Sequence, residues 1–224
     1  MNYTSKYYTS SVNNASFKSS KQVVPIIIKL LNLKSVVDIG CGQGIWLKEF
    51  SKYNTDIFGI DGTHIKEREL VINRKFFKKT DLEKKFVIDK KFDIALCLEV
   101  AEHLEPSRAK SFVSDLTKVS DVVIFSAAIP FQGGFKHKNL QWQSYWKELF
   151  GLFNFNHYDT IRPLIWDNAE VSTCYKQNTL IYSKKKLDLF KGNTSMINMV
   201  HPEMLELNSQ WLTRVRKVRE ILHI

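Results

Sequence analysis

The stretch SVVDIGCGQGIWLKEF, residues 35–50, decides the fold of this 224-residue chain. Its first five residues are mostly apolar and β-branched, as in a short buried strand, and a glycine-rich turn follows them directly. A helical period comes next, with the apolar residues of one helix face at Ile45, Trp46, Leu47 and Phe50. Strand, tight turn and helix in that order predict the first unit of a doubly wound α/β sheet.

The same alternation continues along the chain. Further short strands are predicted over residues 56–61, 76–81, 92–100 and 121–129, and helices over 21–33, 106–119 and 139–150. Short apolar strands separated by helical patterns predict a mostly parallel sheet with helices on both faces. Two late strands, over 154–159 and 178–184, are expected to be joined by a short turn and to form a hairpin at the sheet edge.

Composition places the chain among globular proteins and excludes collagen-like or wholly disordered chains, with 44% hydrophobic and 25% charged residues and only 9 Gly and 5 Pro. The longest apolar run, residues 23–28, is far too short to cross a bilayer. The polar start MNYTSKYYTSS is not a signal peptide, so we expect no membrane span and a cytoplasmic location. Three scattered cysteines, without a C-x-x-C pair, indicate reduced thiols.

The net charge is +10, from 33 Lys and Arg against 23 Asp and Glu. Part of this charge is local, because residues 66–91 hold 10 basic and 5 acidic residues and residues 184–224 hold 8 and 4. Such a surface permits nucleic acid, phosphorylated metabolites or acidic membranes as partners. A lysine-rich solvated face is the alternative, since solubility alone favours net charge.

The turn after the first strand carries three glycines, Gly40, Gly42 and Gly44. Without side chains there, the backbone can bend sharply and approach a ligand closely. Asp38 stands just before the turn, and Asp61 ends the next predicted strand. A carboxylate at that second strand end can accept both hydroxyls of a ribose.

The third strand ends in Asp81 and Leu82. Asp81 is placed to accept a hydrogen bond from an exocyclic amine, while Leu82 covers the face of a purine. The alternative for both Asp61 and Asp81 is a turn-forming aspartate at a strand end.

With these three strand ends in order, the chain resembles a class I S-adenosylmethionine-dependent methyltransferase over about residues 20–185. The resemblance implies a Rossmann-like, seven-stranded, mostly parallel sheet whose last strand is antiparallel. It also implies that the glycine loop holds the methionine part of S-adenosylmethionine, with Asp61 at the ribose and Asp81 and Leu82 at the adenine. A nicotinamide dehydrogenase is the nearest competitor, and it is disfavoured because the loop is short and no second substrate domain follows.

The fourth strand runs into Glu99, Glu102 and His103, which are neighbours in a helical turn, and the loop after the fifth strand brings His137 over the same crevice. Two carboxylates and two imidazoles can hold Mg²⁺, Mn²⁺ or Fe²⁺ with positions left for a diol. The pattern resembles metal-dependent O-methyltransferases of ubiquinone biosynthesis and those that methylate the 3′-terminal ribose of small RNAs. Without a metal, His103 or His137 is the expected general base.

The aromatic stretch over 137–146, with two later short stretches, resembles small bacterial methyltransferases of surface-polysaccharide and other glycan pathways. An O-methyltransferase for a sugar or a related hydroxylated, anionic small molecule is therefore the leading hypothesis. RNA ribose 2′-O-methylation at a 3′-terminal nucleotide is the alternative, supported by the +10 charge. A non-catalytic binding subunit is the third, and the intact glycines and aspartates argue against it.

Three parts of the chain follow from this assignment. Residues 1–20 are expected to be a flexible arm or a lid over the cofactor, and residues 21–185 the methyltransferase domain. Residues 186–224 form a C-terminal helical extension, with an amphipathic helix over 202–222 that packs on the domain or on a partner, including a second copy in a homodimer.

Overall fold

The computed structural model describes residues 10–189 and 196–207. Its centre is one seven-stranded sheet in the order β3-β2-β1-β4-β5-β7-β6. The strands are β1 Ser35–Ile39, β2 Asp56–Asp61, β3 Phe77–Lys79, β4 Ile94–Leu98, β5 Val122–Ser126, β6 Asn156–Tyr158 and β7 Leu180–Ser183.

Neighbouring strands from β3 to β5 are parallel, and β7 runs antiparallel to both β5 and β6. This confirms the predicted mostly parallel sheet with an antiparallel last strand. The strand order reverses between β1 and β4, which pair from Val36 opposite Ile94 to Asp38 opposite Leu96. Ligands of open α/β sheets bind at the carboxyl ends of the strands beside such a reversal.

Helices cover both faces of the sheet. They are α1 Ser10–Leu31, α2 Ile45–Phe50, α3 Ala109–Val119, α4 Gln143–Gly151, α5 Ile161–Ile165 and α6 Thr173–Asn178. One core lies under α3 and α4 and includes Phe112 and Trp146. The other lies under α1, α2 and α5 and includes Val24 and Leu47. Burial of the two cores, about 25 cal/mol per Å² of apolar surface, holds the three layers together.

Helix α1 corrects two sequence predictions. It begins at Ser10, not at residue 21, so residues 10–20 of the predicted arm are helical, while residues 1–9 lie outside the described part. Pro25 stands inside the helix, where its missing N–H removes one backbone hydrogen bond. Packing outweighs the lost hydrogen bond, because Val23, Val24 and Ile27 are buried.

The late strands also differ from the prediction. β6 and β7 do pair antiparallel at the sheet edge, but the expected short turn is wrong, since α5 and α6 lie between them. Helix α4 begins at Gln143 instead of 139, because residues 136–142 form the extended loop that leaves β5.

Residues 196–207 pack against the domain, and buried polar side chains hold them there. Arg162 donates to the carbonyl of Ile197 at 3.0 Å, and Gln143 donates to the carbonyl of Met199 at 3.0 Å. The backbone N–H of His201 donates to Gln177 Oε1 at 2.9 Å. We call residues 197–204 the C-terminal strap. Residues 202–207 are helical, in agreement with the predicted helix, whose remainder lies outside the described residues.

Among the helices of the described ranges, none combines the length and apolarity needed to cross a bilayer.

Candidate functional site

A cavity of about 1270 Å³ opens at the carboxyl ends of β1, β4 and β5. At one end it is lined by the glycine loop, through Gly40, Gly42 and Gln43. The other end is lined by Glu102, His103 and His137, from the segments that follow β4 and β5. We call these the loop end and the histidine end. The sequence placed its chemistry at these strand ends, and the structure puts a cavity there.

The glycine loop needs its glycines for conformation. All three adopt a positive φ, of 84° at Gly40, 55° at Gly42 and 84° at Gly44, which disfavours L side chains. A Cβ on Gly40 would collide with the side chain of Val100, and one on Gly44 would lie 2.8 Å from Ile72. Gly40 and Gly42 line the cavity, whereas Gly44 packs behind the loop.

Asp38, the last polar residue of β1, is buried and faces the loop end of the cavity. Burial raises its pKa well above the usual range, and the negative charge of nearby Asp61 raises it further. A cation at this end of the cavity would therefore be attracted by the carboxylate and would favour its ionised form.

Asp61 ends β2 directly behind the glycine loop. One carboxylate oxygen accepts the Gly42 N–H at 2.7 Å, the other accepts the Gly62 N–H at 2.6 Å, and His64 Nε2 lies 3.4 Å away. Burial raises the pKa of Asp61, against the lowering effects of His64 and the two backbone donors. The contact with Gly42 shows that Asp61 also shapes the loop, so it supports the loop end from behind rather than lining the cavity.

The structure does not bring Asp81 and Leu82 into the lining of this cavity. Asp81 is exposed and accepts the N–H of Glu83 at 3.1 Å, in the geometry of a turn-forming aspartate. Leu82 belongs to the core beside α3. Their role at the adenine stays a prediction.

The histidine end brings together three of the four predicted metal ligands. One ligand atom from each of Glu102, His103 and His137 lies within 4.8 Å of the others, and the two imidazole rings are 4.9 Å apart. Within the part of the chain that the structure describes, Glu102 Oε2 and His137 Nδ1 are buried atoms without a hydrogen-bond partner. Unsatisfied buried polar atoms are costly, so their presence points to a ligand that completes the site.

Electrostatics keep this cluster close to neutral before a ligand binds. Burial raises the pKa of Glu102 well above its usual range, and the neighbouring Glu99 raises it further. Burial, helped by His137, lowers the pKa of His103 to about 4, and burial lowers the pKa of His137 as well. Both imidazoles are therefore uncharged at neutral pH and can bind a cation or accept a proton.

Glu99 lies beside this cluster but is held by other groups. Its two oxygens accept hydrogen bonds from Gln132 Nε2 at 2.8 Å and Asn178 Nδ2 at 3.2 Å. The expected helical turn from Glu99 to His103 is wrong. Glu99 has a φ of 54°, and only residues 101–103 form a single turn of 3₁₀ helix. The Glu99 side chain is thus held by the two amides, and it also hydrogen-bonds to the side chain of Glu102 in the cluster.

Several residues that line the cavity or hold its side chains were missed by sequence reasoning. Gln132 and Asn178 are separated by 46 positions and meet only in the fold. Asn13 and Ser16 line the cavity from α1, and Met204 lines it from the C-terminal strap. Asn13 and Ser16 lie in a Ser- and Asn-rich segment without an apolar period, so the sequence carries no signal for them.

A family model described as a methyltransferase domain matches residues 12–162. This range is about two thirds of the chain and contains the glycine loop and all three members of the cluster. The chain belongs to this methyltransferase family. The predicted resemblance to class I S-adenosylmethionine-dependent methyltransferases is thereby confirmed in family and fold.

Individual relatives agree with this assignment. The chain is 30% identical over 110 residues to the ubiquinone biosynthesis O-methyltransferase of Pasteurella multocida, a match that covers 42% of this chain and 46% of that protein. The chain thus spans about half the length of the curated relatives that it matches. The solved structures share the methyltransferase fold at low identity. CalS10, an S-adenosylmethionine-bound amino pentose methyltransferase from Micromonospora echinaspora, superposes with a TM-score of 0.60 at 12% identity, covering 82% of this chain and 98% of that one. The methyltransferase domain of the bacterial protein CtHen1 superposes with a TM-score of 0.53 at 18% identity, covering 76% of this chain and 100% of that one.

Proposed function

We propose that this protein is an S-adenosylmethionine-dependent O-methyltransferase for a sugar or a related small hydroxylated metabolite, assisted by a divalent metal ion. The observation that carries the proposal is the cluster of Glu102, His103 and His137 at the end of the cavity that faces the glycine loop. The Pasteurella relative is an O-methyltransferase by name, which supports oxygen as the methylated atom.

The residues at the loop end fit the cofactor. The cavity volume of about 1270 Å³ is large enough for S-adenosylmethionine together with a small acceptor. Asp38 would hold the ammonium group of the methionine part. The predicted partners of the ribose and adenine, Asp61 and Asp81 with Leu82, lie outside the lining of the cavity, so the nucleoside would have to extend beyond that lining to reach them.

The histidine end fits a divalent metal. Its donor set of one carboxylate and two neutral imidazoles suits Mn²⁺ or Fe²⁺, and Mg²⁺ also accepts carboxylate oxygen. Glu102, His103 and His137 would hold the ion, and Glu99 would act as a neighbouring carboxylate that the amides of Gln132 and Asn178 keep in place. When bound, the metal would lower the pKa of an acceptor hydroxyl.

The chain's own groups position the acceptor and handle its proton. Methyl transfer is an in-line displacement, so the hydroxyl must face the methyl carbon from the side opposite the sulfur. If no metal is bound, His137 would be the base, and its Nδ1, which has no hydrogen-bond partner among the described residues, would accept the hydroxyl proton as the oxygen–methyl bond forms. An imidazole that holds a metal through its lone pair cannot accept that proton, so with a metal bound the proton would leave to water. The carbon–sulfur bond breaks at the same time, and S-adenosylhomocysteine leaves.

Aromatic side chains at the cavity mouth support a sugar acceptor. Phe131 lines the cavity with 84% of its surface exposed, and Phe135 on the same loop is 49% exposed. Exposed rings offer flat apolar surface to the C–H faces of a sugar. Of the two tryptophans in the aromatic stretch 137–146, Trp142 is partly exposed, whereas Trp146 is a core residue.

The test combines an acceptor screen with metal titration. Protein and S-adenosylmethionine are incubated with sugars, sugar nucleotides and catechols, and mass spectrometry detects methylated products with and without a chelator. Mn²⁺ binding is measured separately by calorimetry on the wild type, on Glu102→Gln and on His157→Ala, a matched histidine control on β6 outside the cavity. His137→Ala is measured beside them as the histidine variant that His157→Ala matches. We expect loss of Mn²⁺ binding in Glu102→Gln and His137→Ala and not in His157→Ala. Full turnover in chelator would overturn the metal and leave His137 as the base.

RNA 2′-O-methylation at a 3′-terminal ribose is the second candidate, because that ribose carries a diol and the chain has a charge of +10. The basic segment 66–91 weakens it. Six of its ten cations pair with acidic side chains, for example Arg74 with Glu67 at 3.2 Å, and none of the ten lines the cavity. A gel shift with short RNA that falls steeply with salt would favour RNA over the sugar.

A further inference from the structure

The beginning of α1 forms part of the cavity wall above the glycine loop. Asn13, Ala15 and Ser16 line the cavity there, and the rest of the helix is packed against α2. The Ser16 hydroxyl lies 3.3 Å from the hydroxyl of Tyr175, which fixes this part of the helix to α6. The first turns of α1 are thus a built part of the loop end.

The side-chain amides of Asn13 and Gln43 hydrogen-bond to each other in the wall of the cavity. Asn13 Nδ2 donates to Gln43 Oε1 at 3.2 Å, which joins α1 to the residue between the second and third glycines of the loop. An asparagine or glutamine amide nitrogen carries two protons, so this contact uses one of the four that the pair holds. Both side chains line the cavity, and the structure shows no further partner for the remaining three N–H groups within the described residues.

The amino acid part of the cofactor presents one ammonium and one carboxylate. Asp38 suits the ammonium, because it is a buried carboxylate at the loop end. The carboxylate needs donors, and Lys136 is the single Lys or Arg among the described residues that line the cavity. Lys136 belongs to the histidine end, because it directly precedes His137 and its backbone hydrogen-bonds to the ring of His103.

We infer that Asn13 and Gln43 together bind the α-carboxylate of S-adenosylmethionine through their free amide N–H groups. A neutral amide pair would thus bind a carboxylate for which an Arg or Lys side chain is the more usual ligand. The inference rests on the proposed function only for the identity of the cofactor and is independent of the acceptor and the metal.

The experiment compares two ligands by calorimetry. S-adenosylhomocysteine carries the amino acid part, and 5′-methylthioadenosine has the same nucleoside without it. The variant is Asn13→Asp, and the control is Asn14→Asp, the exposed neighbour on the same helix. Both substitutions put an acidic residue near the N-terminus of α1, where negative charge stabilises a helix, so neither is expected to unfold it.

We expect Asn13→Asp to lower the affinity for S-adenosylhomocysteine by about 10-fold or more. A charge-assisted hydrogen bond is lost, and two carboxylates are brought together. The affinity for 5′-methylthioadenosine should not change, and Asn14→Asp should bind both ligands like the wild type. An equal loss for both ligands, or the same loss in Asn14→Asp, would overturn the inference. Tighter S-adenosylhomocysteine binding by Asn13→Asp would overturn it too, because Asn13 would then face the ammonium.

Gln43 is tested with the same two ligands. Gln43→Ala and Asn13→Ala should each weaken the binding of S-adenosylhomocysteine. The double variant should lose less affinity than the product of the two single losses, because each side chain holds the other in position. Independent, multiplicative losses would contradict a joint site. A failed acceptor screen leaves these measurements intact, since they detect cofactor binding alone, and a wild type that binds neither ligand would overturn both this inference and the cofactor assignment.

Discussion

The two ends of the cavity are built in different ways. The centre of the loop end is one continuous segment, residues 38–44, whose shape is set by backbone geometry and by Asp61 behind it, and the first turns of α1 pack against this segment. The histidine end combines side chains from the segments after β4 and β5, and the amides of Gln132 and Asn178 hold Glu99 beside them. Under the proposed function, the cofactor would bind mainly to a local backbone turn, whereas the acceptor would contact residues gathered from distant parts of the chain.

The largest expected effect sets a glycine of one end against a glycine of the other. Gly40→Ala places a side chain at a positive φ and against Val100, and we expect a loss of about 2 to 5 kcal/mol in the free energy of unfolding. A Cβ at Gly133, on the loop after β5, would have no described atom within 4 Å. Gly133→Ala should therefore change the free energy of unfolding by about 0.5 kcal/mol or less. Urea unfolding measures both, and equal losses would erase the contrast between the two ends.

A second prediction uses Asp38. Burial and Asp61 raise its pKa, and the ammonium group of a bound cofactor would lower it, so binding should release a proton. The affinity for S-adenosylhomocysteine should therefore rise with pH until Asp38 is ionised in the free protein. Calorimetry in buffers of different ionisation enthalpy detects the proton, and Asp38→Asn should abolish its release and weaken binding by about 10-fold.

The same raised pKa has a consequence for folding. Asp38 binds its proton more tightly in the folded than in the unfolded chain, so its contribution to stability is present at low pH and is lost as the pH rises through the folded-state pKa. At neutral pH, Asp38→Asn should raise Tm while it weakens cofactor binding. A fall in Tm would show that Asp38 is held by compensating contacts.

The smallest expected effect belongs to the histidine end. Phe131→Ala removes an exposed ring, so the free energy of unfolding should change by about 0.5 kcal/mol or less. If the ring contacts the acceptor, KM for the acceptor rises while the affinity for S-adenosylhomocysteine stays constant. A loss of cofactor affinity would contradict the division of the cavity into two ends.

The same difference decides how much could be predicted from sequence. The mostly parallel sheet and the glycine loop follow from local patterns, and the antiparallel last strand follows from the family resemblance that these patterns carry. Glu102, His103 and His137 were found because two of them are adjacent and the third follows the next strand. Gln132 and Asn178 were missed, since only the fold brings them to Glu99. The predicted start of helix α1 was too late, because Asn13 and its polar neighbours show no apolar period. These residues nevertheless line the cavity.

The C-terminal strap bears on how the protein is made on the ribosome. Lys176 is buried, and the structure shows its ammonium on the Glu203 carboxylate at 2.8 Å, while Arg162 donates to the carbonyl of Ile197. All seven strands have been synthesised before either partner exists, because both partners follow β7 in the chain. A nascent chain that has completed its sheet still holds the Lys176 ammonium without the Glu203 carboxylate, and isolated buried charge is strongly unfavourable. Arg162 is by then paired with Asp159 at 2.6 Å and lacks only the Ile197 carbonyl. The side of the domain around α5 and α6 should therefore close last, after the strap has left the ribosome.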